Sequence, residues 1–123
     1  MKAIDSYRDL EVWQLALDLA VKAYRLVRTF PRMEQFAIGN QLISSSISIA
    51  ANIAEGYGRY TRAEYLRFLT IANGSRCEFE TRLAMCARAG LVAQDSCEAF
   101  RSHCQRVGQM LTRLRQRLRQ TRS

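Results

Sequence analysis

The sequence predicts an all-α protein, a single-domain, up-down-up-down antiparallel four-helix bundle. Three observations carry that prediction. Apolar residues recur at steps of three and four over long stretches, the period of one helix face. β-branched alternation is nearly absent, and the 123 residues contain only one proline, Pro31. The breaks between periodic stretches are short and hold turn or cap residues, as antiparallel neighbours require. The length suits one real core and falls short of two.

The first helix is expected over residues 9–29. Leu10, Trp13, Leu17, Ala20, Tyr24 and Val27 form one stripe, and Val12, Leu15, Leu19, Leu26 and Phe30 a second, giving two packing faces. Pro31 closes the connection, because the residue before a proline is pushed out of the α region. The second helix should cover residues 33–57 and end at Gly58 in the left-handed position past a C-terminus. Thr61 and Glu64 then have the spacing of a capping box for a third helix over residues 62–90. Its core stripe is Tyr65, Phe68, Leu69, Ala72, Phe79, Leu83 and Cys86, in phase across Asn73-Gly74. That continuity predicts an unbroken helix in which Gly74 permits a close helix approach. Asp95 and Glu98 repeat the capping pattern for a fourth helix over residues 96–120, where Phe100, Cys104, Val107, Leu111, Leu114 and Leu118 make a heptad seam.

Composition narrows the function. No apolar run reaches the roughly 18 residues that span a bilayer, and MKAIDSYRDLEVW lacks the order of a secretory signal, so the chain reads as cytoplasmic with no membrane partner. Cys77, Cys86, Cys97 and Cys104 match no ligand-pair spacing, and His103, the only histidine, adjoins Cys104. No metal site is expected, and the thiols are read as reduced, packed small hydrophobes. Net charge is +8, of which seven arginines after residue 98 supply all but +1, with no acid among them. A charge gathered on one segment is a candidate contact with an anionic partner.

The stretch SISIAANIAEGYGR, residues 46–59, raises a separate question. On a helix, Gln41, Ser45, Ser48, Asn52, Glu55 and Arg59 form one polar stripe, and its first four members are short or neutral. A solvated face tends to use charged side chains, whereas short polar ones let another backbone approach and hydrogen-bond across the gap. The stripe therefore reads as a close-packed contact, within the bundle or between subunits, with Glu55 and Arg59 spaced as an i,i+4 pair.

DLEVWQLA, FPRMEQF, QLISSSISIAANIAEGYGR and YLRFLTIANGSRCEFE together resemble the four-helix-bundle family of large-subunit ribosomal RNA intervening-sequence proteins, over residues 7–90. The same family includes the accessory variability determinant of diversity-generating retroelements. The resemblance implies a homopentamer and an association with nucleic acid. This chain has Ile43 and Ser44 where the family commonly places two arginines, and Ala50 where a proline is frequent. The first departure removes positive charge from the second helix.

Catalysis is not expected. Asn52, Glu55 and Arg59 share a face, but an arginine at that spacing favours the ionised carboxylate, a poor general acid, and no second carboxylate or Ser-His pair accompanies it. GYGRYTR matches neither the Walker nor the dinucleotide fingerprint, so neither a cofactor nor a small-molecule substrate is read from it. The better candidates are the arginines of the fourth helix. Arg101, Arg115 and Arg119 flank the seam on one side, and Arg106, Arg113 and Arg117 lie on the other and rear faces. A polyanion, RNA or DNA, would be met there through phosphate, since no aromatic is interleaved among these arginines to stack on bases.

Overall fold

The computed structural model describes residues 4–120. A single 3-10 turn, Tyr7–Asp9, precedes α1 (Glu11–Val27); α2 (Asn40–Tyr57) is entered through a helical turn at Arg32–Glu34 and a π turn at Gln35–Gly39. Two longer helices follow, α3 (Arg62–Arg88) and α4 (Gln94–Gln120), and there is no strand among the described residues. α1 packs on α2 and α4, and α3 on the same two, so chain neighbours are spatial neighbours and the last helix closes the ring on the first. This is the up-down-up-down bundle, with 27-residue α3 and α4 each running roughly 40 Å. Its centre is Leu19, Leu42, Ile49, Ile53, Leu69, Phe79, Leu83 and Leu111, all essentially inaccessible to solvent.

α1 is shorter than expected because Asp9 closes a separate 3-10 turn, N-capped by Ser6, instead of opening the helix. Its Oδ2 accepts from the backbone N–H of Asp5 (3.0 Å) and Ser6 (3.3 Å), while Ser6 Oγ accepts from Arg8 (3.1 Å). The buried face also differs from the two stripes of large residues. Leu17 and Tyr24 are 41% and 50% exposed, whereas Ala16 and Ala23, which belong to neither stripe, are fully buried. Alanine there leaves room for the neighbouring helices, so the face centres between the stripes and pushes their outer members to the surface.

The π turn before α2 inserts one extra residue, with the Asn40 N–H bonded back to the Gln35 carbonyl. It brings buried Gly39 against α1, where a Cβ would collide with Val27 Cγ1. At the other end Gly56 does the same against α3: a Cβ would lie 2.8 Å from Phe68 Cβ. Gly58 is not left-handed, at φ −79° and ψ −3°. The chain leaves α2 by a tightened last turn, Arg59 N–H to Gly56 carbonyl (3.1 Å), and the left-handed glycine is Gly90, at φ 85° after α3.

α3 is unbroken through Asn73-Gly74, as the phase of its stripe predicted. The reason given for Gly74 is corrected, because it is exposed and a Cβ there would meet nothing within 4 Å. Thr61 caps α3 by accepting from the Glu64 N–H (3.2 Å), while the Glu64 carboxylate pairs forward with Arg67 (3.2 Å). α4 begins at Gln94, with the Cys97 N–H on the Ala93 carbonyl (3.0 Å), so Asp95 lies in the first turn instead of capping it. There its charge faces the positive end of the helix dipole. The seam of α4 is buried from Phe100 to Leu111 and half-buried at Leu114 and Leu118, where the helix runs toward the end of the bundle.

Candidate nucleic-acid interface

α4 is amphipathic with arginine on both flanks of its buried seam. Arg101 lies beside Arg76 and Glu80 of α3, and Arg113 shares a second hollow with Arg76; the helical period puts Arg115 and Arg119 on the same side of α4 as Arg101. Arg113 and Arg117 line a groove against the N-terminal segment, and Arg106 lies beside His103. Arg101, Arg106, Arg113, Arg117 and Arg119 are exposed, and Arg115 is half-buried with its Nε lacking a partner among the described residues. Arg122 lies outside the described residues.

Acidic neighbours divide these arginines into two groups. Arg101 shares a polar hollow with Glu80 and Glu98. Beyond Glu98, α4 has no acid, and among the described residues Arg106, Arg113, Arg115 and Arg119 form no ion pair. Elsewhere Arg59 pairs with Glu55 (2.6 Å), Arg67 with Glu64 (3.2 Å), Arg82 with Glu78 (3.4 Å) and Arg76 with Glu80, and although Arg8, Lys22, Arg25, Arg28, Arg32 and Arg88 form no ion pair among the described residues, residues 1–98 carry eleven acids against twelve cations. The second half of α4 is therefore the place where positive charge accumulates.

The topology brings other segments to that end of the bundle. Tyr65, at the start of α3, lies near Arg117 and meets Tyr57 edge-on at 6.1 Å. Burial, then Tyr57, pushes its hydroxyl up to about 12, against the pull of Arg117. Arg59 and Arg67 cover the Phe68 ring at 4.7 and 4.9 Å. Tyr7 packs edge-on against Trp13 at 5.2 Å, with Arg8 over it at 5.8 Å. Tyr60, in the turn between α2 and α3, is fully exposed. The N-terminal segment lies between two grooves. One, of about 310 Å³, sets Arg113 and Arg117 beside Asp9, Glu11 and Leu10; the other, of about 490 Å³, is lined by Tyr7, Ala51, Ala54, Gly58, Tyr60 and the Glu55–Arg59 pair. None of these aromatics lies within the arginine run, so nothing in the sequence shows that the fold brings them to the same end of the bundle. The one local signal is Tyr60 itself, an aromatic between a helix end and the next cap with nothing to pack on.

The polar stripe of α2 lies along the α3 flank. Ser48 and Ser75 share a hydroxyl–hydroxyl bond at 2.8 Å, and Arg82 Nη1 donates to the Gln41 carbonyl (3.2 Å). Ser45 is buried and donates back to the carbonyls of Gln41 and Leu42 (3.1 and 3.0 Å). Asn52 Nδ2 donates to the Ser48 carbonyl (2.8 Å) and hydroxyl (3.0 Å), while Gln41, Glu55 and Arg59 are exposed. The outward side of α2 has a further property. Between Glu34 and Glu55 no residue is charged, and Phe36 and Ile47 are 68% and 52% exposed there.

The remaining reactive groups are dispersed. Cys86 and Cys104 are buried, as packed small hydrophobes should be, but Cys77 is exposed and Cys97 half-buried. Burial pushes both buried thiols up, Cys104 to about 12. Among the described residues no three His, Cys, Asp or Glu side chains converge, and no helix is long and apolar enough to cross a membrane.

The sequence pattern of the 23S rRNA-intervening sequence protein family matches residues 8–113. The chain belongs to this family. A crystal structure of a protein of unknown function from the S23 ribosomal protein family of Bacteroides thetaiotaomicron superposes with a TM-score of 0.78 at 24% identity, covering 84% of this chain and 96% of that one. At that identity the likeness speaks for the fold alone. No curated protein matches the chain. For this intervening-sequence family member, the family match spans α1 to the Arg113 turn of α4, and the last basic turns, with Arg115, Arg117 and Arg119, lie beyond it.

Proposed function

We propose that the protein is a non-enzymatic, oligomeric adaptor of the cytoplasm that holds nucleic acid by its phosphates through α4. The observation that carries this reading is the uncompensated charge: Arg106, Arg113, Arg115 and Arg119 have no carboxylate partner among the described residues. Like charges crowded on one helix repel, and a polyanion relieves that repulsion while releasing its own counterions. Because the family is named for intervening sequences of 23S rRNA, RNA is the first polyanion to test.

Copies of the chain meet, in this proposal, over the first turns of α2. A protein of net charge +8 resists self-association wherever basic faces approach, and the π turn with the outward side of α2 offers exposed Phe36, Ser44 and Ile47 with no charge among them. Its short polar side chains also permit close approach. The family resemblance makes a homopentamer the expected assembly. A dedicated RNA- or DNA-binding role for the same α4 surface, independent of assembly, is the second reading.

Anisotropy with a short RNA duplex tests the polyanion contact. Binding at low salt that is lost in the R113Q/R115Q/R117Q/R119Q variant is expected; no binding at low salt overturns the proposal. Light scattering at micromolar concentration tests assembly, and a monomeric mass overturns that part. Ile47→Arg, which adds charge to an exposed position, should dissociate the oligomer without unfolding the chain. Nucleic-acid binding that survives dissociation favours the second reading.

A further inference from the structure

The aromatic groove beside the basic end is unused by a reading based on phosphate alone. Its lining combines the small residues Ala51, Ala54 and Gly58 with two tyrosines, Tyr7 and Tyr60, and the Glu55–Arg59 pair. Tyr60 has no intramolecular packing to give up, being fully exposed, so a planar ligand stacked on it gains contact at no cost in buried protein surface. Tyr7 is already held in orientation by Trp13 at 5.2 Å. Arg59 is fixed at the rim by Glu55 (2.6 Å) and by the Phe68 face (4.7 Å). Because the Glu55 carboxylate is already paired with Arg59, the groove carries no net charge to hold a phosphate and admits an uncharged ring. Across the N-terminal segment, the second groove sets Arg113 and Arg117 beside Asp9 and Glu11; Arg113 and Arg117 are themselves exposed, and Arg113 also shares with Arg76 a hollow that has no carboxylate in its lining, where a phosphate is welcome.

We propose that this end of the bundle binds single-stranded nucleic acid, with an unpaired base in the groove between Tyr7 and Tyr60 and the adjoining backbone on Arg113 and Arg117. Duplex bases are already stacked on each other and cannot enter, so the groove selects single strands while the arginines alone do not. Aromatic platforms combined with a basic track are how sequence-tolerant single-strand binders work. The inference rests on the phosphate contact by α4 proposed above, to which it adds the base.

The single tryptophan, Trp13, lies against Tyr7 and gives a local readout. The test compares four probes of equal length: an oligoadenylate RNA, its DNA counterpart, an abasic strand and a blunt RNA duplex. The two base-bearing single strands should bind more tightly than the abasic strand and the duplex, and should alter Trp13 fluorescence where the other two do not. Tyr60→Ala, at an exposed turn position, should weaken the base-bearing strands by roughly five- to a hundredfold and leave the abasic strand and the duplex unchanged. RNA bound better than DNA would assign a contact to the 2′-hydroxyl; equal binding would assign recognition to base and phosphate alone, and both agree with the proposal. Equal affinity for abasic and base-bearing strands, with no effect of Tyr60→Ala, overturns the base groove and leaves the phosphate contact standing. Failure of every probe to bind at low salt overturns both.

Discussion

His103 joins α1 and α4 through both ring nitrogens: Nε2 donates to the Leu15 carbonyl at 2.8 Å, and Nδ1 accepts from Lys22 Nζ at 3.2 Å. That arrangement requires the neutral ring, and its pKa is lowered, chiefly by burial, with Lys22 and Arg106 adding to the effect and the Leu15 carbonyl and Asp18 opposing it. The unfolded imidazole takes its proton near pH 6.5 and the folded one only at lower pH. Stability is therefore complete above that pH and falls as pH drops through 6.5 toward the folded value. Urea unfolding from pH 7.5 to 5 should show this slope, and His103→Gln, which keeps an amide donor for Leu15, should flatten it. An unchanged slope would contradict the assignment. Two glycines make a paired test at the same scale. Gly56→Ala places a Cβ 2.8 Å from Phe68 Cβ and should cost about 1–3 kcal/mol, whereas Gly74→Ala meets nothing within 4 Å and should add about 0.5–1 kcal/mol of helix preference. Denaturant midpoints moving the same way in both variants would contradict the packing described.

At the scale of elements, α2 explains most of what the sequence could and could not reveal. Its existence, and those of α1, α3 and α4, followed from apolar phase, which is a local property. Its entry did not: the π turn at Gln35–Gly39 sets Gly39 against Val27 of another helix, a tertiary contact with no local signature. Nor did the exact face, since the buried positions of α1 include alanines that a count of large residues passes over. Of the polar stripe, Ser45 is buried and Ser48 meets Ser75 of α3, a partner 27 positions away that no local pattern could name, while Gln41, Glu55 and Arg59 are exposed. Ser48→Arg would force a guanidinium into that half-buried helix contact and should destabilise the chain by about 1–3 kcal/mol. Thermal unfolding indistinguishable from the native chain would mean that the α2–α3 contact tolerates separation.

For the whole molecule, the antiparallel ring of helices has a consequence for function. It returns the N-terminal segment, the α2–α3 turn and the last turns of α4 to one end, and so places Tyr7, Tyr60 and Arg113 at the same end of the bundle although they come from three parts of the chain. The arginines could be read in sequence because they lie on one run; the aromatics beside them could not, because only the topology joins them. The fold also separates two surfaces, an uncharged outward side of α2 suited to a second copy and a basic end suited to a polyanion. On this account assembly multiplies the basic ends, so an oligomer binds a long RNA more tightly than one subunit does, and Ile47→Arg should lower affinity for long RNA far more than for a short one.

The central claim is that α4 meets phosphates, and the salt dependence of RNA binding tests it most directly. The logarithm of the association constant should fall linearly with the logarithm of salt concentration, and the R113Q/R115Q/R117Q/R119Q variant should reduce that slope by roughly three to four, about one for each phosphate contact removed. A variant whose slope equals that of the native protein would contradict the claim.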